Sequence, residues 1–391
     1  MSPTLRVALV ADLLEERWTS MDLVADMIVA TLTRAETTGV DVTLIRPTLP
    51  ITVTQRVGAR VGIDRYIRRF WSYPRWLRGQ RLQFDAFHVI DHSYAHLTHT
   101  LPGDRTVVTC HDIDAFLPLV SPRQTRSRLP MWLVKQILTG LNKAAVVVCP
   151  TENTREELVG YGLVSDKPVR IVPHGVHPSF TPEHDVAAEA GIAEWIGPVD
   201  GGSIDLLHVG TCIPRKRIDR LLAIVSAAHR LDRRVRLLKA GGTLTPELET
   251  LANTLGIANR IVSLPHLTHA QLAAIYRRAA VVLVPSDREG FGLPVVEALA
   301  CGTTVVASNI AVFREIGGSV TRLCEPDDLE AWCSAIFEVV AMTPEAKART
   351  RLRNASHGLQ FSWSTHAQAM ASIYRHVGRA TAAAAGAEKV A

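Results

Sequence analysis

Short apolar runs alternate with longer amphipathic stretches along most of the chain. Six runs rich in Val, Ile and Leu lie in the first half, at residues 6–12, 40–45, 87–91, 105–112, 144–150 and 169–175. Six more lie in the second half, at residues 204–210, 235–242, 260–265, 280–286, 303–308 and 320–326. Strands that alternate with helical patterns are typical of βαβ units. The pattern therefore predicts an α/β protein with two doubly wound parallel sheets.

The length of the chain also favours two domains, because a single hydrophobic core stops growing near ~250–300 residues and this chain has 391. Residues 179–203 combine prolines and a Gly-Gly pair with no sustained period, so we interpret them as a linker. This predicts one domain at 1–178 and a second at 204–362. Residues 379–391 have nothing to pack against and are expected to fray. In such sheets ligands bind beyond the carboxyl ends of the strands, so we expect the site in the cleft between the domains.

Composition narrows the class of protein. No secretory leader precedes the first apolar run, and no run approaches the ~18 apolar residues of a membrane span, so we expect a cytoplasmic protein. The six cysteines are scattered, none in a Cys-x-x-Cys pair. Free buried thiols are therefore expected rather than disulfides or zinc, and no structural metal is predicted.

One stretch, SDREGFGLPVVEALACGTTVVAS at 286–308, carries most of the candidate chemistry. An apolar strand ends just before it, and Pro294 suits the first turn of a helix because the amide proton it lacks would have had no partner there. The amide groups of Gly292 and Leu293 together with the start of this helix favour negative charge. The stretch therefore predicts a binding place for an anion, and phosphate is the natural candidate.

Two carboxylates, Glu289 and Glu297, lie on either side of this turn. Carboxylates repel an anion, so they are better suited to hydroxyl groups that flank a phosphate, as the hexose and ribose of a nucleotide sugar do. A simpler interpretation remains open from these residues alone. Glu297 can be a first-turn Glu that the helix dipole favours, and Glu289 a solvated loop residue.

The whole stretch resembles the Glu-x7-Glu motif of family-4 retaining glycosyltransferases, which have the two-domain GT-B fold. The resemblance implies that Glu289 contacts the transferred sugar and that Glu297 contacts the ribose. It also implies that the turn between them binds the donor nucleotide, through Gly290, Phe291, Gly292 and Leu293.

A second segment, LLHVGTCIPRKRIDRLLAIVSAA at 206–228, resembles the family's strand, glycine, basic pair and helix. The resemblance implies that Gly210 lies at the donor and that Arg215 and Lys216 clamp its diphosphate. Cations suit that role because the leaving group gains negative charge in the transition state. A solvated basic turn is the alternative.

In the first half, VVTCHDID at 107–114 resembles the family's strand followed by a histidine that approaches the sugar or acceptor. This implies a catalytic role for His111, although an isolated histidine is often structural. The segment at 169–182 is also similar to the family, with His174 where Asn is usual. The closing residues 363–378 resemble the family's last helix, which crosses back onto the first domain.

Two departures from the family pattern affect the expectations. Thr211 stands where many members have an arginine, so Arg215 is expected to supply that charge. The N-terminal loop DLLEERWTSMD lacks the double glycine of many relatives, which leaves acceptor recognition open.

A basic and aromatic segment at 56–81 needs its own explanation. It interleaves Tyr66, Phe70, Trp71, Tyr73 and Trp76 with eight arginines: Arg56, Arg60, Arg65, Arg68, Arg69, Arg75, Arg78 and Arg81. An amphipathic helix on anionic lipid is one interpretation, on the inner face of the membrane. A wall that binds a polyanionic acceptor and a solvated helix with ordinary core aromatics are the others.

These features together predict a retaining glycosyltransferase that moves a hexose from a nucleotide diphosphate sugar to a glycan, lipid-linked or small-molecule acceptor. No cofactor or metal is expected, and no nucleic-acid partner. The alternatives are a GT-B epimerase or phosphorylase, or a nucleic-acid-binding protein that uses the segment 56–81. A Rossmann dehydrogenase is disfavoured because no Gly-x-Gly-x-x-Gly follows the first strand.

Overall fold

The computed structural model describes residues 4–16, 18–34, 39–49, 61–80, 84–120, 130–197 and 202–387. The chain forms two compact units. Unit 1 comprises Met1–Gly175 with Trp363–Ala391, and unit 2 comprises Val176–Ser362. Each unit contains one six-stranded sheet whose strands are all parallel. The prediction of two doubly wound parallel sheets is therefore confirmed.

The sheet of unit 1 has the order β2-β1-β3-β4-β5-β6. Its strands are β1 Leu5–Val10, β2 Val40–Ile45, β3 Ala86–Val89, β4 Thr106–Thr109, β5 Val146–Cys149 and β6 Val169–Ile171. Every residue of β3, β4 and β5 is buried, as continuous apolar runs require when helices cover both faces of a sheet.

The helices of unit 1 that precede unit 2 in the chain are α1 Thr19–Arg34, α2 Val61–Ile67, α3 Tyr73–Leu77, α4 Leu117–Val120, α5 Met131–Lys143 and α6 Glu152–Gly160. A π-helical turn, Arg68–Ser72, joins α2 to α3. Short 3-10 helices lie at Leu14–Glu16, His92–His99, Gly103–Arg105 and Asp114–Phe116.

The sheet of unit 2 has the order β12-β11-β10-β7-β8-β9. Its strands are β7 Ile204–Val209, β8 Val235–Ala240, β9 Ile261–Ser263, β10 Val281–Val284, β11 Val305–Ser308 and β12 Arg322–Cys324. The order of the strands reverses between β7 and β10, which lie side by side. Such a switch point opens a crevice at the carboxyl ends of the strands, where ligands bind in open α/β sheets.

The helices of unit 2 are α7 Val186–Ile196, α8 Ile218–Leu231, α9 Pro246–Thr254, α10 His269–Arg278, α11 Leu293–Ala300, α12 Ala311–Gly317, α13 Leu329–Val340 and α14 Pro344–Gly358. Short 3-10 helices lie at Pro214–Lys216, Ala258–Arg260 and Gly318–Val320.

The segment 179–203, interpreted from the sequence as a linker, is in part a helix that packs on unit 2. The Asp185 side chain caps the start of α7 by accepting a hydrogen bond from the Ala188 amide, at 3.0 Å. Ala188, Ile192 and Ile196 recur every four residues and are buried in the core of unit 2. The prolines and glycines at both ends obscured this period, so the interpretation of the whole segment as a linker was wrong.

The last helix, α15 Trp363–Ala387, belongs to unit 1. Met370, Tyr374 and Val377 are buried in the same core as β1, and the Tyr374 hydroxyl lies 2.7 Å from Nδ1 of His88. The helix extends to Ala387, beyond position 378, where the sequence analysis ended it. Residues 388–391 of the expected tail lie outside the described residues.

The basic segment 56–81 is helical where it is described, and three of its arginines serve the fold. Arg65 makes two hydrogen bonds of 3.0 Å to the Glu16 carboxylate. Arg68 pairs with Glu15 at 3.1 Å, and Arg69 pairs with Glu16 at 3.3 Å. Arg56, Arg60 and Arg81 lie outside the described residues. These ion pairs hold the 3-10 helix Leu14–Glu16 against the segment, so Arg65, Arg68 and Arg69 are not a free basic surface.

The opposite side of the same segment faces solvent. Trp71 is 74% exposed, and Ile67 and Trp76 are also exposed. Arg75 and Arg78 are exposed too, and neither pairs with an acidic side chain in the described part of the chain. Tyr73 and Leu77 are fully buried. The segment is therefore amphipathic, with a small aromatic and basic outer face.

Candidate active site

The predicted donor residues of unit 2 come from the two strands at the switch point. Gly210 directly follows β7, and the 3-10 helix Pro214–Lys216 carries the basic pair. The loop with Glu289 follows β10 and leads into α11. The backbone amide of Asp287 donates a hydrogen bond of 2.9 Å to the Arg215 carbonyl, which ties the two loops together.

Glu289 is the centre of the cluster. Its carboxylate accepts hydrogen bonds from Arg215 at 2.5 Å, from Lys216 at 2.6 Å and from the Ser286 hydroxyl at 2.9 Å. Burial opposes ionisation of Glu289, but Lys216 and Arg215 outweigh it and lower its pKa to about 2. Glu289 is therefore a buried, fully ionised carboxylate with two cations on it.

Glu297 lies in α11 in a different environment. The Tyr276 hydroxyl donates a hydrogen bond of 2.9 Å to its carboxylate. Burial raises the pKa of Glu297 to about 7, although Tyr276 and Lys216 act in the opposite direction. Near neutral pH, Glu297 is therefore balanced between its protonated and ionised forms. Tyr276 was not predicted from the sequence, because its contact with Glu297 depends on the packing of α10 against α11.

The turn between the two glutamates is held by close packing. Gly292 caps α11 with a φ of 85°, and a Cβ atom there would lie 2.9 Å from the Phe313 ring. The Phe291 ring is buried and packs edge-on against Phe361, with ring centroids 5.6 Å apart. The Phe291 side chain thus anchors the turn. The donor-binding roles of Gly290, Phe291, Gly292 and Leu293 stay predictions.

A second ionic network, which the sequence analysis missed, braces the same loops. Arg217 adopts a left-handed conformation with φ of 49° and contacts Asp287 at 3.1 Å and Asp219 at 2.8 Å. Arg220 donates to Asp287 at 2.8 Å and to the Pro285 carbonyl at 2.9 Å. In the run Arg-Lys-Arg, Arg215 and Lys216 contact Glu289, whereas Arg217 positions the loop that carries Glu289.

His111 lies in unit 1, at the end of β4. Its Nε2 lies 2.8 Å from the Ile90 carbonyl oxygen. Because a carbonyl oxygen can only accept a hydrogen bond, Nε2 carries the proton and donates it. Burial lowers the pKa of His111, so the ring is neutral and its Nδ1 accepts from Nε2 of His174 at 3.0 Å. Both ring nitrogens are thus engaged within unit 1. The catalytic role assigned to His111 stays a prediction, and the observed contacts are those of a structural histidine.

Unit 1 has its own cluster of charged groups at its switch point, where β1 meets β3. Asp12 follows β1, and Asp91 and His92 follow β3; all are buried. Burial raises the pKa of Asp12 well above its ordinary value, and the adjacent Asp91 raises it further. Burial also acts on Asp91, but His92 helps to lower its pKa to about 2. The sequence did contain a signal for this cluster, because an Asp stands at the end of each of the two apolar runs that form β1 and β3.

The sequence analysis predicts free buried thiols and no structural metal, and the cysteine, histidine and acidic side chains bear on both predictions. All six cysteines are free thiols, and five of them are buried. In the described part of the chain, no three His, Cys, Asp or Glu side chains are grouped so that they can hold a metal ion. None of the described helices is long and apolar enough to cross a bilayer.

Two family models match the chain. Residues 25–180 match the model described as Glycosyltransferase Family 4, and residues 193–357 match the model described as Glycosyl transferases group 1. The second match contains Arg215, Lys216, Glu289 and Glu297. The first contains His111.

Curated relatives carry the name D-inositol 3-phosphate glycosyltransferase. The protein from Mycolicibacterium gilvum is 34% identical over 254 residues, which is 62% of this chain and 53% of the relative. The protein from Mycolicibacterium smegmatis is 35% identical over 246 residues, which is 60% of this chain and 53% of the relative. The chain spans about half the length of the curated relatives it matches.

Solved structures share the fold. Sucrose-phosphate synthase from Thermosynechococcus elongatus has a TM-score of 0.74 at 20% identity, over 96% of this chain and 100% of that one. HepE from Anabaena, solved with UDP and glucose, has a TM-score of 0.65 at 14% identity, over 98% of this chain and 100% of that one. With the two family models and the curated relatives, this shows that the chain belongs to the family-4 glycosyltransferases with the GT-B fold.

Proposed function

We propose that this chain is a retaining hexosyltransferase, which moves a hexose from a nucleotide diphosphate sugar to a glycan, lipid-linked or small-molecule acceptor. One observation carries the proposal. Arg215 and Lys216 meet on Glu289 at the carboxyl ends of β7 and β10, beside the start of α11. Two cations and a helix start at the switch point of a parallel sheet suit a diphosphate.

The ion pairs of Glu289 with Arg215 and Lys216 suggest how the donor binds. Without a ligand, Glu289 neutralises Arg215 and Lys216. A diphosphate competes for the same two cations, and its arrival leaves carboxylate oxygens of Glu289 available to hydroxyl groups of the hexose. The same residue thus prevents mutual repulsion of the cations in the empty site and contacts the sugar in the filled one.

The chemistry follows from the charge that develops during transfer. The bond from the anomeric carbon to the diphosphate oxygen breaks, and a bond to the acceptor oxygen forms on the same face of the sugar. The acceptor proton passes to the departing phosphate, as is usual in the resembled family. Arg215 and Lys216 stabilise the leaving diphosphate as its charge grows, which lowers the barrier.

The proposal assigns charge stabilisation to side chains and needs no cofactor. Activity measured after dialysis against EDTA should therefore equal activity with added Mg²⁺. Loss of transfer in EDTA, with recovery on adding Mg²⁺, would show that a metal shares the role of Arg215 and Lys216.

The acceptor is expected to bind unit 1. The matched relatives are named for inositol 3-phosphate, so that compound belongs in the first acceptor screen, together with glycans and lipid-linked sugars. The buried cluster of Asp12, Asp91 and His92 lies at the switch point of this unit, where polar contacts to acceptor hydroxyls are expected.

The outer face of the segment 61–78 supports peripheral binding to an anionic membrane, on the cytoplasmic side. Trp71 and Trp76 suit the lipid interface, and Arg75 and Arg78 suit anionic head groups. The acidic partners of Arg65, Arg68 and Arg69 disfavour the alternative of a nucleic-acid-binding protein, because those charges are neutralised within unit 1.

A panel of nucleotide sugars and nucleoside diphosphates tests the function. A ligand at ~100 times its Kd should stabilise the protein by about 2.7 kcal/mol in a thermal-shift assay. The stabilising nucleotide sugar should then transfer its hexose with retention at the anomeric carbon, read by NMR of the product. An epimerised free sugar with no acceptor product would favour the epimerase alternative instead.

A further inference from the structure

A buried lysine lies beneath the donor site and has no role in the function proposed above. Lys239 is on β8, and its side chain is 0% exposed. It is in register with His208 on the neighbouring strand β7. Lysine is almost never fully buried without a partner for its charge, so its contacts call for an explanation.

The partners of Lys239 are backbone carbonyl groups. Its ammonium donates to the carbonyl oxygen of Gly210 at 2.5 Å, of Ala240 at 3.1 Å and of Gly242 at 3.4 Å. Within the described ranges, no carboxylate lies at ion-pair distance from it. The three N–H groups of the ammonium thus serve three carbonyl oxygens, and its positive charge remains uncompensated by an acid.

These carbonyls belong to two turns that approach each other closely. The Gly210 amide donates to the Ala240 carbonyl at 3.0 Å. Gly241 has a φ of 94°, and a Cβ atom there would lie 2.7 Å from the carbonyl carbon and oxygen of Gly210. Turns packed so tightly bring carbonyl oxygens together. A buried cation offsets the repulsion between these oxygens.

The Gly210 turn also adjoins the predicted diphosphate clamp. A Cβ atom on Gly210 would lie 3.4 Å from Cε of Lys216 and 3.2 Å from Nε2 of His208. The ammonium of Lys239 contacts the carbonyl oxygen of this same Gly210. Burial lowers the pKa of Lys239, and the positive charge of Lys216 lowers it further. Lys239 is therefore directly behind the backbone that leads from β7 into the basic pair.

We propose that Lys239 is a positioning residue for the donor diphosphate: it ties the carbonyl oxygens of Gly210, Ala240 and Gly242 together behind the Gly210 turn. Carbonyl oxygens beside a diphosphate repel it. Because Lys239 holds these carbonyl oxygens on its own side of the turn, the side next to Lys216 stays favourable to negative charge. This inference rests on the proposed function, since it assumes that a diphosphate binds at Arg215 and Lys216.

A purely structural role for Lys239 makes a different prediction. Loss of a structural lysine lowers the melting temperature but leaves the preference for phosphate groups unchanged. Loss of a positioning residue reduces the contribution of the diphosphate to binding while the nucleoside still binds. The ratio of affinities for a nucleoside diphosphate and for its nucleoside therefore separates the two roles.

The experiment measures this ratio by calorimetry for the wild type, Lys239→Met and Lys239→Gln. The probe is whichever of UDP, GDP, ADP and dTDP binds the wild type most tightly, with its nucleoside. Lys239→Met should lower the ratio about 10-fold or more, because the released carbonyl oxygens repel the diphosphate. Lys239→Gln, which can still donate to two carbonyls, should lower it less.

Leu237→Ala is the matched control, because Leu237 lies on the same strand and is equally buried. It should lower the melting temperature and leave the ratio unchanged. A folded Lys239→Met with an unchanged ratio overturns the inference. If Lys239→Met does not fold, Lys239→Gln decides in the same way. If the wild type binds none of the four diphosphates, the proposed function itself fails, whatever the role of Lys239.

Discussion

Lys216 donates a hydrogen bond of 2.6 Å to the carboxylate of Glu289, although the two residues lie 73 positions apart in the chain. Arg215 donates to the other carboxylate oxygen at 2.5 Å. The two cations lower the pKa of Glu289 against the effect of its burial. In the proposed function, Glu289 therefore competes with the donor diphosphate for these two cations, and this competition would separate its role from that of Glu297.

The first prediction compares Glu289→Gln with Glu297→Gln. Glu297→Gln should weaken the binding of a nucleoside diphosphate about tenfold, because a charged hydrogen bond to ribose is replaced by a neutral one. Glu289→Gln should bind the same nucleotide as tightly as the wild type or more tightly, since the cations are released. Its rate of sugar transfer should fall by at least ~10². Calorimetry and a transfer assay measure the two effects, and equal losses of nucleotide affinity would contradict the assignment.

The second prediction concerns the pH dependence of nucleotide binding. Burial raises the pKa of Glu297 to about 7, and ribose hydroxyls donate best to the ionised carboxylate. Affinity for the nucleoside diphosphate should thus fall about tenfold as the pH drops from 8 to 6. The phosphate group titrates in the same range, so Glu297→Gln is the reference. The difference between the two pH profiles should vanish if Glu297 does not contact the nucleotide.

The third prediction concerns stability. Burial raises the pKa of Asp12, so Asp12 is stabilising in its protonated form, and this stability is lost as the pH rises towards its folded pKa. Asp12→Asn, which is neutral at every pH, should therefore raise the melting temperature by a few degrees at pH 8 and by much less at pH 4.

Asp85→Asn is the control of opposite sign for this prediction. Burial acts to raise the pKa of Asp85, but hydrogen bonds from Arg6 lower it. Its stabilising effect is present above the unfolded pKa and is lost as the pH falls. Asp85→Asn should thus lower the melting temperature at pH 8 and have little effect in strong acid. An Asp12→Asn profile with the same sign as that of Asp85→Asn would disprove the raised pKa.

The fourth prediction concerns membrane binding. Each arginine near an anionic surface contributes about 1 kcal/mol, so Trp71→Ser combined with Arg75→Ser and Arg78→Ser should reduce binding to phosphatidylglycerol vesicles more than tenfold. Sedimentation with these vesicles measures it, and phosphatidylcholine vesicles give the neutral reference. Wild-type binding should weaken with salt without disappearing, because the aromatic contribution is insensitive to salt.

The choice of residues for this variant comes from the structure. Arg65, Arg68 and Arg69 pair with acidic side chains of unit 1, so replacing them tests the fold rather than the surface. Trp132→Ser is the matched control, because Trp132 is also well exposed and lies elsewhere in unit 1. If the wild type does not sediment with phosphatidylglycerol vesicles at low salt, the membrane proposal is wrong.

Much of the fold was predictable because strands buried on both faces must be continuous apolar runs. Each of the twelve strands lies within or at the edge of a predicted run. Helix α7 was missed because Ala188, Ile192 and Ile196 form a short period between residues that usually mark loops. Such a helix is stabilised by its packing on unit 2, which the local sequence does not show.

The candidate site was predictable only in part, for a similar reason. Arg215, Lys216 and Glu289 stand in recognisable strings, and the structure brings them together. Tyr276 and Lys239 lie outside the recognised sequence motifs and act through contacts that form only in the folded chain. Lys239 did leave one sign in the sequence, since a lysine inside an apolar strand needs a buried partner.

The most direct test of the account is the affinity of a nucleoside diphosphate for the wild type and for Lys216→Ala, measured by calorimetry at pH 8. The wild type should bind at least one of UDP, GDP, ADP and dTDP. Lys216→Ala should bind it about 10- to 100-fold more weakly, because a charge-assisted contact to phosphate is lost. Its rate of sugar transfer should fall by roughly 10²–10³, as for loss of one transition-state donor. A correctly folded Lys216→Ala that binds the nucleotide as tightly as the wild type would contradict the central claim.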